Sequence, residues 1–118
     1  MLGEHKMGYV LEYYEKRDGT LPFNDWLNGQ DATIKYKIIA KLERVELGNL
    51  GDVEPVGDGV SEIKLHFGPG FRLYYSKIGL KIILLLFAGT KRAQQKDIDK
   101  AKQYLQDYKE RGKKHGKK

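Results

Sequence analysis

Residues 59–98 constrain the fold more than any other part of the chain, because their apolar side chains repeat at a period that only a sheet can use. Residues 60–67 place Ile63, Leu65 and Phe67 on one face and Glu62, Lys64 and His66 on the other. Residues 70–77 do the same, with Phe71, Leu73 and Tyr75 opposite Arg72, Tyr74 and Ser76. Gly68-Pro69-Gly70 between them is turn chemistry, so the two segments read as a hairpin that brings Lys64 or His66 across from Arg72 and Tyr74. Residues 81–88 are nearly all apolar, as a central strand covered on both faces must be.

The rest of the chain supplies what such a sheet needs to bury itself. Residues 8–14 (GYVLEYY) read as a first strand, and Lys16-Arg17-Asp18-Gly19 as a turn. Residues 22–27 read as a short helix with Pro22 in its first turn and Phe23, Trp26 and Leu27 on one side. Asp31 is placed to cap a second helix that ends before Gly48, with Ile34, Ile38, Leu42 and Val45 as its apolar stripe. Lys37, Lys41 and Arg44 recur on another side of that helix, either as a phosphate-facing ridge or as an ordinary solvated face. Residues 48–59 read as a loop, and residues 94–111 as a last helix packed through Ile98, Ala101, Leu105 and Tyr108. The expected order is β-α-α-β-β-β-α. This is an α+β fold: a small, mostly antiparallel four-stranded sheet with two N-terminal helices and one C-terminal helix against one face. Residues 1–118 read as a single domain, with a leader at 1–7 and a basic tail at 112–118, both expected to be disordered.

The chain has no cysteine, which removes disulfides and thiolate metal sites and fits a reducing compartment. Its longest apolar run is too short to span a bilayer, and no signal-peptide pattern opens it, so a cytoplasmic location with no membrane partner is expected. The net charge of +6 owes much to residues 109–118, which carry six Lys or Arg and one acid. Segregation is more informative than the total. Residues 42–62 hold six acids and one Arg, whereas residues 59–92 hold Lys64, Arg72, Lys77, Lys81, Lys91 and Arg92 against Glu62 alone. A surface polarised in this way steers polyanions.

Several chemistries find no support. His5, His66 and His115 are too dispersed for a zinc site, so no metal and no cofactor is expected. No Gly-rich phosphate loop, nucleophile elbow or paired strand-end carboxylate is present. What remains is cations, Tyr74 and His66 on a sheet face, a set that suffices for metal-independent RNA cleavage. Fixed cations stabilise the charge that builds on phosphate oxygens, while an acid and a base move two protons. Arg72 suits a phosphate clamp because its planar fork makes paired hydrogen bonds, although pairing with an acid such as Glu62 would also explain it. Lys91 and Arg92 stand at the start of a helix, where the helix dipole disfavours cations and an anion would justify them. Lys64 can assist as a base if other cations lower its pKa. Histidine is the side-chain type that titrates near neutrality, which makes His66 a candidate at the RNA. Tyr74 either stacks on a base or covers the sheet.

The wording of FGPGFR and GTKRAQQKDI, with PFNDWL and ELGNLGDVEPVGDGVSEIKLHFGPGFR before them, resembles the RelE/ParE toxin superfamily, in its HigB-like, phage-derived "addiction module killer" branch. The likeness covers roughly residues 9–108. Arg72 matches the Arg of the branch's G-[YF]-R strand, Lys91 the Lys after its last strand, and Lys64 a basic position on the preceding strand. Ala88-Gly89-Thr90-Lys91-Arg92-Ala93-Gln94 departs from the commoner Gly-Gly-Asp-Lys-Ser-Thr-Gln and is more cationic. The resemblance implies the toxin of a type II toxin–antitoxin system, an endoribonuclease (mRNA interferase) that cleaves ribosome-bound messenger RNA and arrests translation. It assigns catalysis to Arg72, Lys91 and Lys64; RNA binding by Arg92, Tyr74 and His66 is read from the residues themselves. It also implies a helix-turn-helix antitoxin encoded by the adjacent gene, with promoter DNA bound only through the complex. Two other readings stay open: a ParE-like inhibitor of DNA gyrase that cleaves nothing, and an inactive relative or plain nucleic-acid-binding module.

Overall fold

The structure, a computed structural model, describes residues 8–115, with side chains described as far as Gly112. The expected leader at 1–7 and the last three residues of the expected tail lie outside the described residues. The chain runs β1 (Val10–Tyr13), α1 (Pro22–Asn28), α2 (Ala32–Glu46), β2 (Val53–Gly57), β3 (Val60–Lys64), β4 (Phe71–Ile78) and β5 (Ile82–Thr90). A 3-10 turn, Lys91–Ala93, then leads into α3 (Gln94–His115). The strands form one sheet in the order β1-β5-β4-β3-β2. β1 pairs with β5 in parallel, and the other three pairings are antiparallel.

The α+β class matches the sequence reading, but the sheet has five strands, not four, and the 3-10 turn is a further addition to the expected order. The missed strand, β2, lies inside the segment that reads as a loop. Four of its five residues are exposed and it carries Glu54, Pro55 and Gly57, so it has neither apolar alternation nor strand propensity to betray it. It survives as an edge strand, where the missing N–H of Pro55 breaks no ladder, and its pairing with β3 slips between Pro55 and Gly57.

The helices also divide between the two faces, whereas one face was expected. Phe23 and Leu27 of α1 and Ile38, Leu42 and Val45 of α2 pack against Ile63, Leu73, Ile83 and Leu85. Ile98, Ala101 and Leu105 of α3 pack against Val60, Tyr74, Leu84 and Leu86 on the opposite face. The reason is legible in β4 and β5, whose apolar side chains leave both faces to be covered. Helix α3 continues to His115, so residues 112–115 of the expected disordered tail are helical.

Local chemistry fixes these pieces. The Asp31 carboxylate accepts from the Ile34 N–H at 3.0 Å and caps α2. Gly68 and Gly70 adopt φ of 57° and 80°, conformations that glycine reaches without strain, and the Leu65 N–H donates to Phe71 O at 2.9 Å across the turn. Helix α3 is tied to the end of β1 by the Tyr14 hydroxyl, which donates to Asp107 at 2.6 Å, by Arg17 on the same carboxylate at 2.8 Å, and by Arg111, which donates to Glu15 O at 2.5 Å. No helix among the described residues is long and apolar enough to cross a membrane.

Candidate functional site

The hairpin and the last strand deliver their cations to one end of the sheet. In register, Lys64 lies opposite Arg72, and Arg72 opposite Gly89. The Lys91 N–H donates to Gly70 O at 2.7 Å, which anchors the chain leaving β5 to the hairpin turn. Lys64, Arg72, Lys91 and Arg92 therefore come from three strand ends to one rim.

Arg72 is not the exposed clamp that alternation suggests. It is 7% exposed, because α3 covers its face of β4. Its Nη1 donates to Phe71 O at 3.3 Å and reaches Gly70 O at 3.5 Å, while Nε lies 3.9 Å from Glu62 and has no hydrogen-bond partner. Glu62 is buried as well and accepts from Gln94 Nε2 at 2.8 and 3.1 Å. The guanidinium thus sits over a buried carboxylate, which is the Glu62 partnership weighed from the sequence.

Tyr74 requires a correction. Its ring is fully buried beneath α3, so it faces no solvent and cannot stack on a base in this fold. Its unpartnered hydroxyl is held neutral, mainly by burial and then by the nearby Glu62 and Asp97 charges. Asp97, at the start of α3, occupies the space that a Cβ at Gly89 would fill, and burial raises its carboxyl. Lys91 and Arg92 are exposed on the 3-10 turn beside this cluster.

Lys64 is also unlike the base that was expected. Its ammonium meets Glu54 at 2.5 Å, and that hydrogen bond raises its pKa, so it stays protonated and acts as a fixed cation. His66, just beyond β3, is exposed and pairs through Nε2 with Asp52 at 2.7 Å. That contact, followed by the Lys64, His66 and Arg72 charges, holds the Asp52 carboxyl below its ordinary value.

Lys64 and His66 open into a groove of about 400 Å³ between α2 and the end of β3. Its other charged walls are Lys37, Lys41, Arg44 and Asp52. The α2 cations weighed as a solvated face thus share one depression with Lys64 of the strand-end set. The sequence did carry their spacing. It carried no sign of which surface that side of α2 would meet, and nothing local linked Asp52 in its loop to His66. Lys41 is 8% exposed, and desolvation followed by the Arg44 charge lowers its pKa. Among the described residues no cluster of three His, Cys, Asp or Glu side chains forms a metal-ligand set.

No family model matches the chain. A protein of Haemophilus influenzae described as an uncharacterized protein is 37% identical over 89 residues, which are 75% of this chain and 90% of that protein.

Proposed function

We propose that this chain, which belongs to the same family as that Haemophilus influenzae protein, is the toxin of a type II toxin–antitoxin pair and a metal-independent endoribonuclease acting in the cytoplasm on ribosome-bound messenger RNA. The observation that carries the reading is the gathering of Arg72, Lys91, Arg92 and Lys64 at one end of the sheet, with the His66–Asp52 pair beside them. A phosphodiester held there meets fixed positive charge without a metal.

In the proposed reaction the 2′-hydroxyl attacks the adjacent phosphorus and the bond to the 5′-oxygen breaks, leaving a 2′,3′-cyclic phosphate and a 5′-hydroxyl. Arg72, Lys91 and Lys64 stabilise the charge that develops on the non-bridging oxygens. Arg72 is held by Glu62 below it, so its orientation costs nothing at the moment of reaction. Proton transfer falls to His66 in place of Lys64. With Asp52 on Nε2, the Nδ1 atom is left to take the 2′-hydroxyl proton, and the exposed Lys91 ammonium gives a proton to the departing 5′-oxygen. Arg92 guides the strand.

The partner in this reading is a small helix-turn-helix antitoxin from the adjoining gene, which blocks the cationic rim and carries the complex to promoter DNA. A second reading, a ParE-like poison of DNA gyrase, draws on Tyr36 and Leu47, which leave apolar surface exposed at α2 for a protein partner. Induced expression separates the two. The nuclease reading expects growth arrest with translated messages cut inside codons, plasmid supercoiling unchanged at early times, and rescue by the neighbouring gene. Arrest with intact messages and inhibited gyrase sinks it.

A further inference from the structure

We infer that the groove between α2 and the end of β3 is a phosphate subsite for a single-stranded RNA backbone, with the Lys41 ammonium at its floor. The inference rests on the proposed function for the identity of the polyanion, but the anion site stands on its own geometry.

Lys41 is the reason to expect a ligand. It is nine-tenths buried, yet among the described residues it has no hydrogen-bond or ion-pair partner. A lysine spared any pairing normally swings its amine out into water. Lys41 keeps its amine close against Gly51, where a Cβ would collide with the ammonium. Gly51 has φ of 75° and holds that approach open. A largely buried charge whose counter-charge, the Asp52 carboxylate, acts on it without a direct pairing is unfavourable, and it persists where something else benefits from it.

The surroundings define the ligand. Lys37, Lys41, Arg44 and Lys64 line the groove against one acid, Asp52, which is already engaged by His66. Lys64 is paired with Glu54, but Lys37, Lys41 and Arg44 stand together along one side of the depression and repel each other, and an anion bound among them relieves that repulsion. The α2 cations lie at i, i+4 and i+7, a row of about 10 Å along the helix. Phe67 forms a half-buried wall beneath the Lys37 ammonium, 5.0 Å from its ring centre. A basic track walled by an aromatic ring holds single strands without reading their sequence. Lys64 stands opposite Arg72 in register, so the track continues to the proposed cleavage site. A strand seated along α2 is therefore directed across Lys64 toward Arg72 and Lys91.

The test uses the full chain, with inorganic phosphate and a 2′-O-methyl RNA oligonucleotide that cannot be cleaved. Titrating phosphate while observing the His66 ring and lysine side-chain resonances should shift His66 and Lys41 together and leave Lys77 unmoved. Lys41→Met keeps the aliphatic stem. It should weaken oligonucleotide binding roughly fivefold to tenfold and reduce the slope of log affinity against log salt by about 0.7, one single-strand phosphate contact. Lys77→Gln should change neither. If Lys41→Met does not fold, the phosphate titration of the wild-type protein decides alone. Unchanged His66 and Lys41 resonances, or equal affinity and slope in the folded variant, overturn the inference. So does an acidic peptide that shifts these resonances where the oligonucleotide does not, since the groove then serves a protein. Retained oligonucleotide binding in a protein that cuts no message supports the subsite and counts against the nuclease reading.

Discussion

Arg72 and Lys91 are neighbours with different obligations. Arg72 lies over a buried Glu62 carboxylate, while Lys91 stands exposed on a turn. Alternation alone puts Arg72 on the polar side of its strand, and from that reading alanine at either position would cost activity and leave stability alone. Burial separates the two. Arg72→Ala strands Glu62 beneath α3 with Gln94 as its remaining donor, and should lose about 3 kcal/mol in chemical denaturation. Lys91→Ala should unfold within about 0.5 kcal/mol of the parent, and under the proposed function it should lose toxicity all the same. Glu62→Gln sharpens the comparison: it removes the buried charge and keeps the shape, so combined with Arg72→Ala it should recover part of the lost stability. If Arg72→Ala proves as stable as Lys91→Ala, the buried pair contributes little.

Among the elements, α3 grips the start of the sheet at several points, among them the Asp107 carboxylate, which makes the grip sensitive to acid. The Tyr14 hydrogen bond, and then Arg17 and Arg111, hold Asp107 below its ordinary value of 3.8. A depressed carboxyl contributes stability that is present above the unfolded value and lost as pH falls through the lower folded one. Asp107→Asn should therefore cost about 1–2 kcal/mol at neutral pH, and its unfolding midpoint should converge with that of the parent in strong acid. At the alkaline end the sign reverses. Tyr14 is pushed up to about 12 by burial and by Asp107, so its contribution is full below pH 10 and fades as pH rises to about 12. Little of this anchoring is legible in sequence, since Tyr14 and Asp107 are 93 positions apart. Local signals fared better. The Gly68-Pro69-Gly70 hairpin and the Asp31 cap follow from neighbours in the chain, while the register, which left Lys64 or His66 opposite Arg72 and Tyr74, is settled as Lys64 opposite Arg72 and Glu62 opposite Tyr74. Strand β2 did not, because an exposed edge leaves no apolar period, and the covering of Tyr74 did not, because a strand does not reveal which helix lies over it.

For the molecule as a whole, β5 is the axis. It is flanked by β1 and β4, its middle residues are buried on both faces, and α1 and α3 lie against it from opposite sides. Native-state hydrogen exchange should find the β5 amides of residues 83–86 opening only with global unfolding, and those of β2 opening far sooner. Equal protection across the two strands would mean that the sheet is uniformly cooperative. The parallel pairing of β1 with β5 also has a consequence for how the protein is made. Of the five strands β1 is made first, yet it has no partner until the other four exist, and Lys91 cannot be anchored at Gly70 before β5 has left the ribosome. The cationic rim is thus assembled by the last strand to emerge. A growing chain carries every earlier part of the rim in pieces, and a truncated product that ends before β5 never gathers it.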